Sequence, residues 1–418
     1  MSKIKRIYGE EILDSRGNPT VQATVVLSDG IVSKSSVPAG ASKGLYEAYE
    51  LRDQDLKRYQ GLGVLNAVNN INDIISQKIS GFDVFEQREI DKAMIELDGT
   101  QNKSKLGANA ILPVSQAVAR AAAKSSLLPL SLYLRGLLTN KEFEKKMPTP
   151  LFNILEGGKH ADRGPDFQEF LIIPATFKKY KEALDIGVAA YQSLRSLLIE
   201  KGSSVLNADE GGFAPQVASN VEALNMLKLA IDRTGYKFAY EVFMGLDVAA
   251  NSFKDKNDYK LKDKSSAFSP DELVEYYKNI FVDYSLIYIE DPFGEDDWES
   301  WKKIYQSLGG KTMIVGDDLV TTNPYRLQLA LENNAINSLI VKPNQVGTIT
   351  ESLVVIEIAR YKKLKIIVSH RSGETSDDFI ADFAVAVGAD YVKFGAPARE
   401  RMIKYNRLSE IEKEIQIF

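Results

Sequence analysis

From Lys5 to about Val37 the chain alternates in the short period of strands, with Thr20, Val21, Ala23, Val25 and Leu27 punctuated by Gly17, Asn18, Pro19 and the Asp29-Gly30 turn. Such runs between turn formers predict an antiparallel meander. The period then lengthens. Leu106 to Ser126 carries closely spaced alanines, which predicts a helix able to pack tightly against its neighbours. Beyond Ser204 short β-rich runs alternate with amphipathic helices, the pattern of a parallel sheet closed by crossover helices. Ser269-Pro270-Asp271-Glu272 marks one helix start, with an N-cap, a proline at the first helical position and early acidic residues ahead of Leu273, Val274, Tyr277 and Phe281. Ser376-Asp377-Asp378 opens another, which ends at Gly388. The fold class expected is α/β: an α+β domain over residues 1–140, then a β/α barrel over 141–418. The boundary is placed near residue 140, where the charged segment Arg135 to Lys146 gives way to Met147-Pro148-Thr149-Pro150.

The polar residues are distributed in a way that leaving the core does not require. After Tyr240 each apolar run ends on a polar group: Asp247, Glu290, Asp317, Lys342, His370 and Lys393. In a β/α barrel the C-terminal strand ends converge on one face, so these six would line one pocket. Three oxygen-donor carboxylates, in a chain with no cysteine and two histidines, favour Mg²⁺ over zinc or copper. A lysine beside a divalent cation loses its proton more readily, so Lys342 is a candidate base. Asp209-Glu210-Gly211-Gly212 places a carboxyl where glycines leave room for a ligand. Ser369-His370-Arg371-Ser372-Gly373-Glu374 offers a guanidinium and hydroxyls to a phosphate or carboxylate. The loop Ala39-Gly40-Ala41-Ser42-Lys43-Gly44 could act as a flap over an anion. His160 and His370 both lie in glycine-flanked turns beside these clusters.

Composition narrows the partners. The 418 residues are 44% hydrophobic, enough for a large core, and 52 Lys+Arg against 57 Asp+Glu leave a net charge of -5 without a basic block. Nucleic acid is therefore not an expected partner. Without cysteine there are no disulfides, thiolate nucleophiles or cysteine metal sites. No run approaches the roughly 20 apolar residues of a membrane span, and the N-terminus lacks a signal-peptide core, so a cytoplasmic location is expected.

Ten segments, in order and spacing, resemble the enolase family: DSRGNPT (14–20), DGTQNKSKLGANAIL (98–112), GGKHA (157–161), QEF (168–170), DEGGFAP (209–215), IEDPF (289–293), GDDL (316–319), KPNQVGT (342–348), SHRSGET (369–375) and GAPAR (395–399). The AGASKG and KPNQVGT forms are similar to archaeal members. The resemblance spans about residues 5–414. It implies an N-terminal α+β domain on an atypical barrel whose opening strands and helices break the simple β/α alternation. It also implies interconversion of 2-phosphoglycerate and phosphoenolpyruvate. Asp247, Glu290 and Asp317 would hold a first Mg²⁺, and Ser42 would help hold a second that arrives with substrate. Lys342 would remove the C2 proton. Glu210, supported by Glu169 and Gln168, would protonate the departing hydroxyl, and His160 would close over the phosphate side. Arg371 and Ser372 would bind phosphate, while Lys393 and His370 line the substrate site. A homodimer, or a larger assembly of dimers, is implied, with Glu10 facing Lys413 and Gln22 facing Glu410 across subunits. Four features depart from the family pattern: Glu156 in place of Asn, Ala208 in place of Gly, Phe394 in place of a small hydroxyl residue, and a GAPAR segment one residue short before Glu400-Arg401. A bulky ring next to Lys393 could narrow the pocket.

Overall fold

Three strands near the N-terminus form the expected meander: β1 (Ile4–Leu13), β2 (Pro19–Leu27) and β3 (Val32–Ser36), antiparallel in that order. The computed structural model describes residues 2–40, 44–140, 146–161 and 164–417. Asp14 closes the first turn by accepting the backbone N–H groups of Arg16 and Asn18, with Gly17 at φ 76° supplying the left-handed residue. Alternate residues Val21, Ala23, Val25 and Leu27 face inward and are buried. The helix Ala108–Ser125 lies against β2 and β3, and its alanines let it bury almost all of its length. The boundary expected near residue 140 adjoins 141–145, outside the described residues.

Eight strands then close a barrel in the order β4 (Thr149–Glu156), β5 (Glu169–Pro174), β6 (Val242–Asp247), β9 (Leu286–Glu290), β10 (Met313–Gly316), β11 (Ser338–Val341), β12 (Lys365–Ser369) and β13 (Tyr391–Lys393). A two-residue hairpin, β7 (Lys254–Asp255) and β8 (Asp258–Tyr259), stands outside it. The strand β5 runs antiparallel to both β4 and β6, while the remaining neighbours are parallel. Two helices, Tyr180–Glu200 and Asn220–Asp232, separate β5 from β6. The broken alternation at the start of the barrel is therefore present.

Leu151, Leu171, Ile173, Tyr288, Val315, Ile340, Ile367 and Tyr391 fill the barrel interior, so it is a packed core with a cavity only at its mouth. The helix Pro270–Tyr284 begins as its sequence requires, with Ser269 accepting the Glu272 N–H and Glu272 reaching back to the Ser269 N–H. Phe379–Ala386 starts directly after Asp378, with Asp377 accepting the Phe379 N–H, and both aspartates pair with Arg120 of the N-terminal unit. Ala39 and Gly373 exchange backbone hydrogen bonds, and Ser15 N–H donates to the Glu374 carbonyl. These contacts hold the meander over the C-terminal mouth. No described helix is long and apolar enough to cross a membrane.

Candidate active site

The reversal of β5 decides what stands at the mouth. Because β5 runs the other way, its first residue, Glu169, lies at the end where β4 and β6 finish, directly opposite Glu156 and Asp247. Glu290 is in register with Asp247 on the next strand. Asp317, Lys342, His370 and Lys393 complete the ring from β10, β11, β12 and β13. A cavity opens among them, lined by His160, Gln168, Glu169, Glu210, Asp247, Asp317, Lys342, His370, Arg371, Ser372 and Lys393, all expected site residues. Ser42 lies outside the described residues. Glu290 is wholly buried beneath Lys393, outside the cavity lining.

Lys393 is the electrostatic hub of one side. Its Nζ is 3.1 Å from Glu169, 3.2 Å from Asp247 and 2.8 Å from Glu290. Burial opposes its charge, but these carboxylates hold its pKa well above the ordinary lysine value. Tyr288 donates its hydroxyl to Glu290 from below. On the other side Lys342 donates to Asp317. Burial pulls Lys342 down, yet Asp317 outweighs it and holds the ammonium above its usual range.

The third cluster joins Glu210 to both histidines. His370 Nδ1 lies 3.1 Å from Arg401, which can only donate, so Nδ1 accepts and Nε2–H donates to Glu210 Oε2 at 3.0 Å. Burial presses His370 down to about 4, so it is neutral. His160 stands between Glu156 at 3.5 Å and Glu210 at 3.9 Å. Burial pushes Glu169 and Glu156 far above the carboxylate range. Glu210 is buried as well, but His370 and His160 hold it low. Burial and the histidines therefore move the two neighbouring carboxyls in opposite directions, Glu169 up and Glu210 down.

Several residues that line or brace the cavity are not among the expected site residues. Glu47, from the segment after the glycine-rich loop, pairs with Arg371 inside the cavity. Asp291 accepts the N–H groups of Asp317 and Asp318. Gln345 donates to Asp317 Oδ1 at 3.0 Å. Only the acidic doublets Glu290-Asp291 and Asp317-Asp318 could have drawn attention. Conversely, Phe394 does not narrow the pocket. Strand alternation turns it away from Lys393, and its fully buried ring packs on Tyr405 with centroids 6.1 Å apart in the outer core.

Two family models match the chain, one described as the enolase N-terminal domain over residues 4–134 and one as the enolase C-terminal TIM barrel domain over 144–417. The chain belongs to the enolase family. Membership carries an enolase-type lyase activity in glycolysis. Enolases typically depend on Mg²⁺, and the donor chemistry here fits a hard divalent cation. The carboxyls of Asp247, Glu290, Asp291, Asp317 and Asp318 stand around the ammonium groups of Lys342 and Lys393. Burial and the neighbouring Asp247 push Glu290 up to about 8, and burial with Asp317 pushes Asp318 to about 7. The ligand atoms of Asp291, Asp317 and Asp318 lie within 4.8 Å of one another, as do those of His160, Glu169 and Glu210. The expected set of Asp247, Glu290 and Asp317 is divided between the two lysines.

Proposed function

We propose that this enolase-family chain interconverts 2-phosphoglycerate and phosphoenolpyruvate plus water, with Lys342 as base and the Glu169–Glu210 pair as acid. One observation carries the reading: Lys342 follows β11 and Glu169 opens β5, four strands apart in a ring of eight, so the two stand on opposite sides of the cavity. A substrate between them would lose the C2 proton to one wall and the C3 hydroxyl to the other. Glu210, whose carboxyl is placed by His370, would protonate the departing hydroxyl with support from the neighbouring Glu169, whose pKa burial raises. Gln168, 3.4 Å from Asp247, and Lys393 hold the carboxyl wall in place. Arg371, with Ser372, offers the guanidinium for phosphate, and His160 closes the acid side.

Asp247, Glu290 and Asp317 would hold a first Mg²⁺ and Ser42 would help hold a second. Bound there, the ions supply the positive charge that makes a proton next to a carboxylate removable. The domain division at residue 140, a cytoplasmic location and a homodimer using Glu10 and Lys413 belong to the same reading. Within the chain Glu10 accepts a hydrogen bond from Gln22, and Glu410 pairs with Arg407.

The test is Mg²⁺-dependent formation of phosphoenolpyruvate by the wild type and by Lys342→Ala. The variant is expected to lose on the order of 10³-fold in kcat. A wild type inactive on 2-phosphoglycerate would overturn the proposal.

A further inference from the structure

Between β10 and the helix Pro324–Glu332 the chain makes a tight turn in which Thr321 and Thr322 have φ of 49° and 51°. Both are completely buried. A β-branched residue in the left-handed region is a true outlier, and two in succession persist only where the surroundings demand them. The backbone of the turn is closed by Val320 and Thr321 N–H groups donating to the Asp317 carbonyl at 3.0 and 2.7 Å. Glycine would adopt these angles freely, so the threonine side chain must supply something that glycine lacks.

What it supplies is a hydroxyl with two partners. Thr322 Oγ1 accepts the Lys342 N–H at 2.9 Å and donates to Gln345 Oε1 at 2.7 Å. Gln345, with its side-chain carbonyl held this way, turns its Nε2 toward Asp317 Oδ1 at 3.0 Å. One hydroxyl thus ties the backbone of Lys342 to the side-chain direction of Asp317, and both groups face the cavity. Pro343, at the first position of the short helix Pro343–Val346, fixes the backbone on the other side of Lys342.

We infer that Thr322 is a positioning residue that locks Lys342 and, through Gln345, Asp317 into a single arrangement, and that the strained turn exists to present its hydroxyl. The inference rests on the proposed roles of Lys342 and Asp317. Thr322→Val keeps the shape and β-branching without the hydroxyl, and Thr322→Ser keeps the hydroxyl without the methyl. Both are compared with wild type in kcat, KM for 2-phosphoglycerate, Mg²⁺ affinity by calorimetry without substrate, and thermal unfolding.

Thr322→Val is expected to lose about 10- to 100-fold in kcat with a much smaller change in KM, and about tenfold in Mg²⁺ affinity. Thr322→Ser is expected to recover both to within about threefold, although the lost methyl makes it no more stable than the Val variant. Gln345→Leu leaves the turn intact and is expected to reproduce the loss of Mg²⁺ affinity, which covers the case of a Val variant that does not fold. Wild-type kcat and Mg²⁺ affinity in a folded Thr322→Val, or equal losses in Val and Ser, would overturn the inference. A wild type inactive on 2-phosphoglycerate but with Mg²⁺ affinity that depends on Thr322 would overturn the proposed reaction and leave this lock standing.

Discussion

Glu47 and Arg371 form a two-pronged ion pair inside the cavity, with Nη1 2.9 Å from Oε2 and Nη2 3.2 Å from Oε1. The pair joins the segment that follows residues 41–43 to the turn after β12, and Asn344 accepts a further hydrogen bond from the same guanidinium. The carboxylate presents to Arg371 the two oxygens that a phosphate would present. Substrate phosphate and Glu47 are therefore competitors. Glu47→Gln is expected to tighten inhibition by inorganic phosphate by about fivefold or more, equivalent to roughly 1 kcal/mol. Steady-state inhibition constants decide this, and weaker inhibition would show that Glu47 orients Arg371 instead.

Glu156 differs from the amide expected at its position, and its contacts explain why a side chain with two acceptor oxygens suits it. Oε2 accepts the Glu210 N–H at 3.1 Å and Oε1 accepts the Gly212 N–H at 2.6 Å. An amide has a single acceptor oxygen, so Glu156→Gln leaves one of these buried N–H groups unpaired. A loss of about 1–3 kcal/mol is expected, measured by urea unfolding. Because the loop so held carries Glu210, kcat should fall with it.

Phe394 serves the core and not the pocket. Phe394→Ala should destabilise the fold by about 3–5 kcal/mol, as removal of a buried ring does. The KM for 2-phosphoglycerate should be unchanged within about twofold, since the side chain points away from the cavity. A large change in KM with little loss of stability would place the ring in the pocket after all.

Asp91 links the helix Gln87–Asp98 to the start of the barrel helix Ile349–Tyr361 by accepting the N–H and hydroxyl of Thr350 at 3.0 and 2.6 Å. Burial pushes its carboxyl up to about 6, against hydrogen bonds from Thr350, Ser115 and Gln87 that lower it. In the unfolded chain the group titrates near 3.8. The folded state therefore binds the extra proton between these values, and stability falls as pH rises from about 4 to 6, by on the order of 3 kcal/mol. Asp91→Asn keeps an acceptor for Thr350 and abolishes that slope. Its stability relative to wild type, followed by urea unfolding from pH 4 to 7, should improve with rising pH; a constant difference would show that Asp91 does not titrate there.

The sequence by itself determined the elements and most of the chemistry. Period-two alternation specified the meander, alanine spacing specified the buried helix Ala108–Ser125, and Ser269-Pro270 specified a helix start, because each depends on neighbours within a few positions. The polar ends of successive apolar runs pointed to one face of a barrel, and eleven expected site residues line one cavity there. Only the tertiary structure decided which groups meet. The reversal of β5 brings Glu169 to the mouth beside Glu156 and Asp247, although no local pattern marks a strand's direction. Strand alternation sent Phe394 outward, and closure of the ring set Lys342 across from Glu169. Glu47 reaches Arg371 over 324 positions of chain, and Thr322 reaches Gln345 over 23. Pairings of that kind depend on how strands and loops close in space, which is a property of the packed barrel and not of any window of sequence.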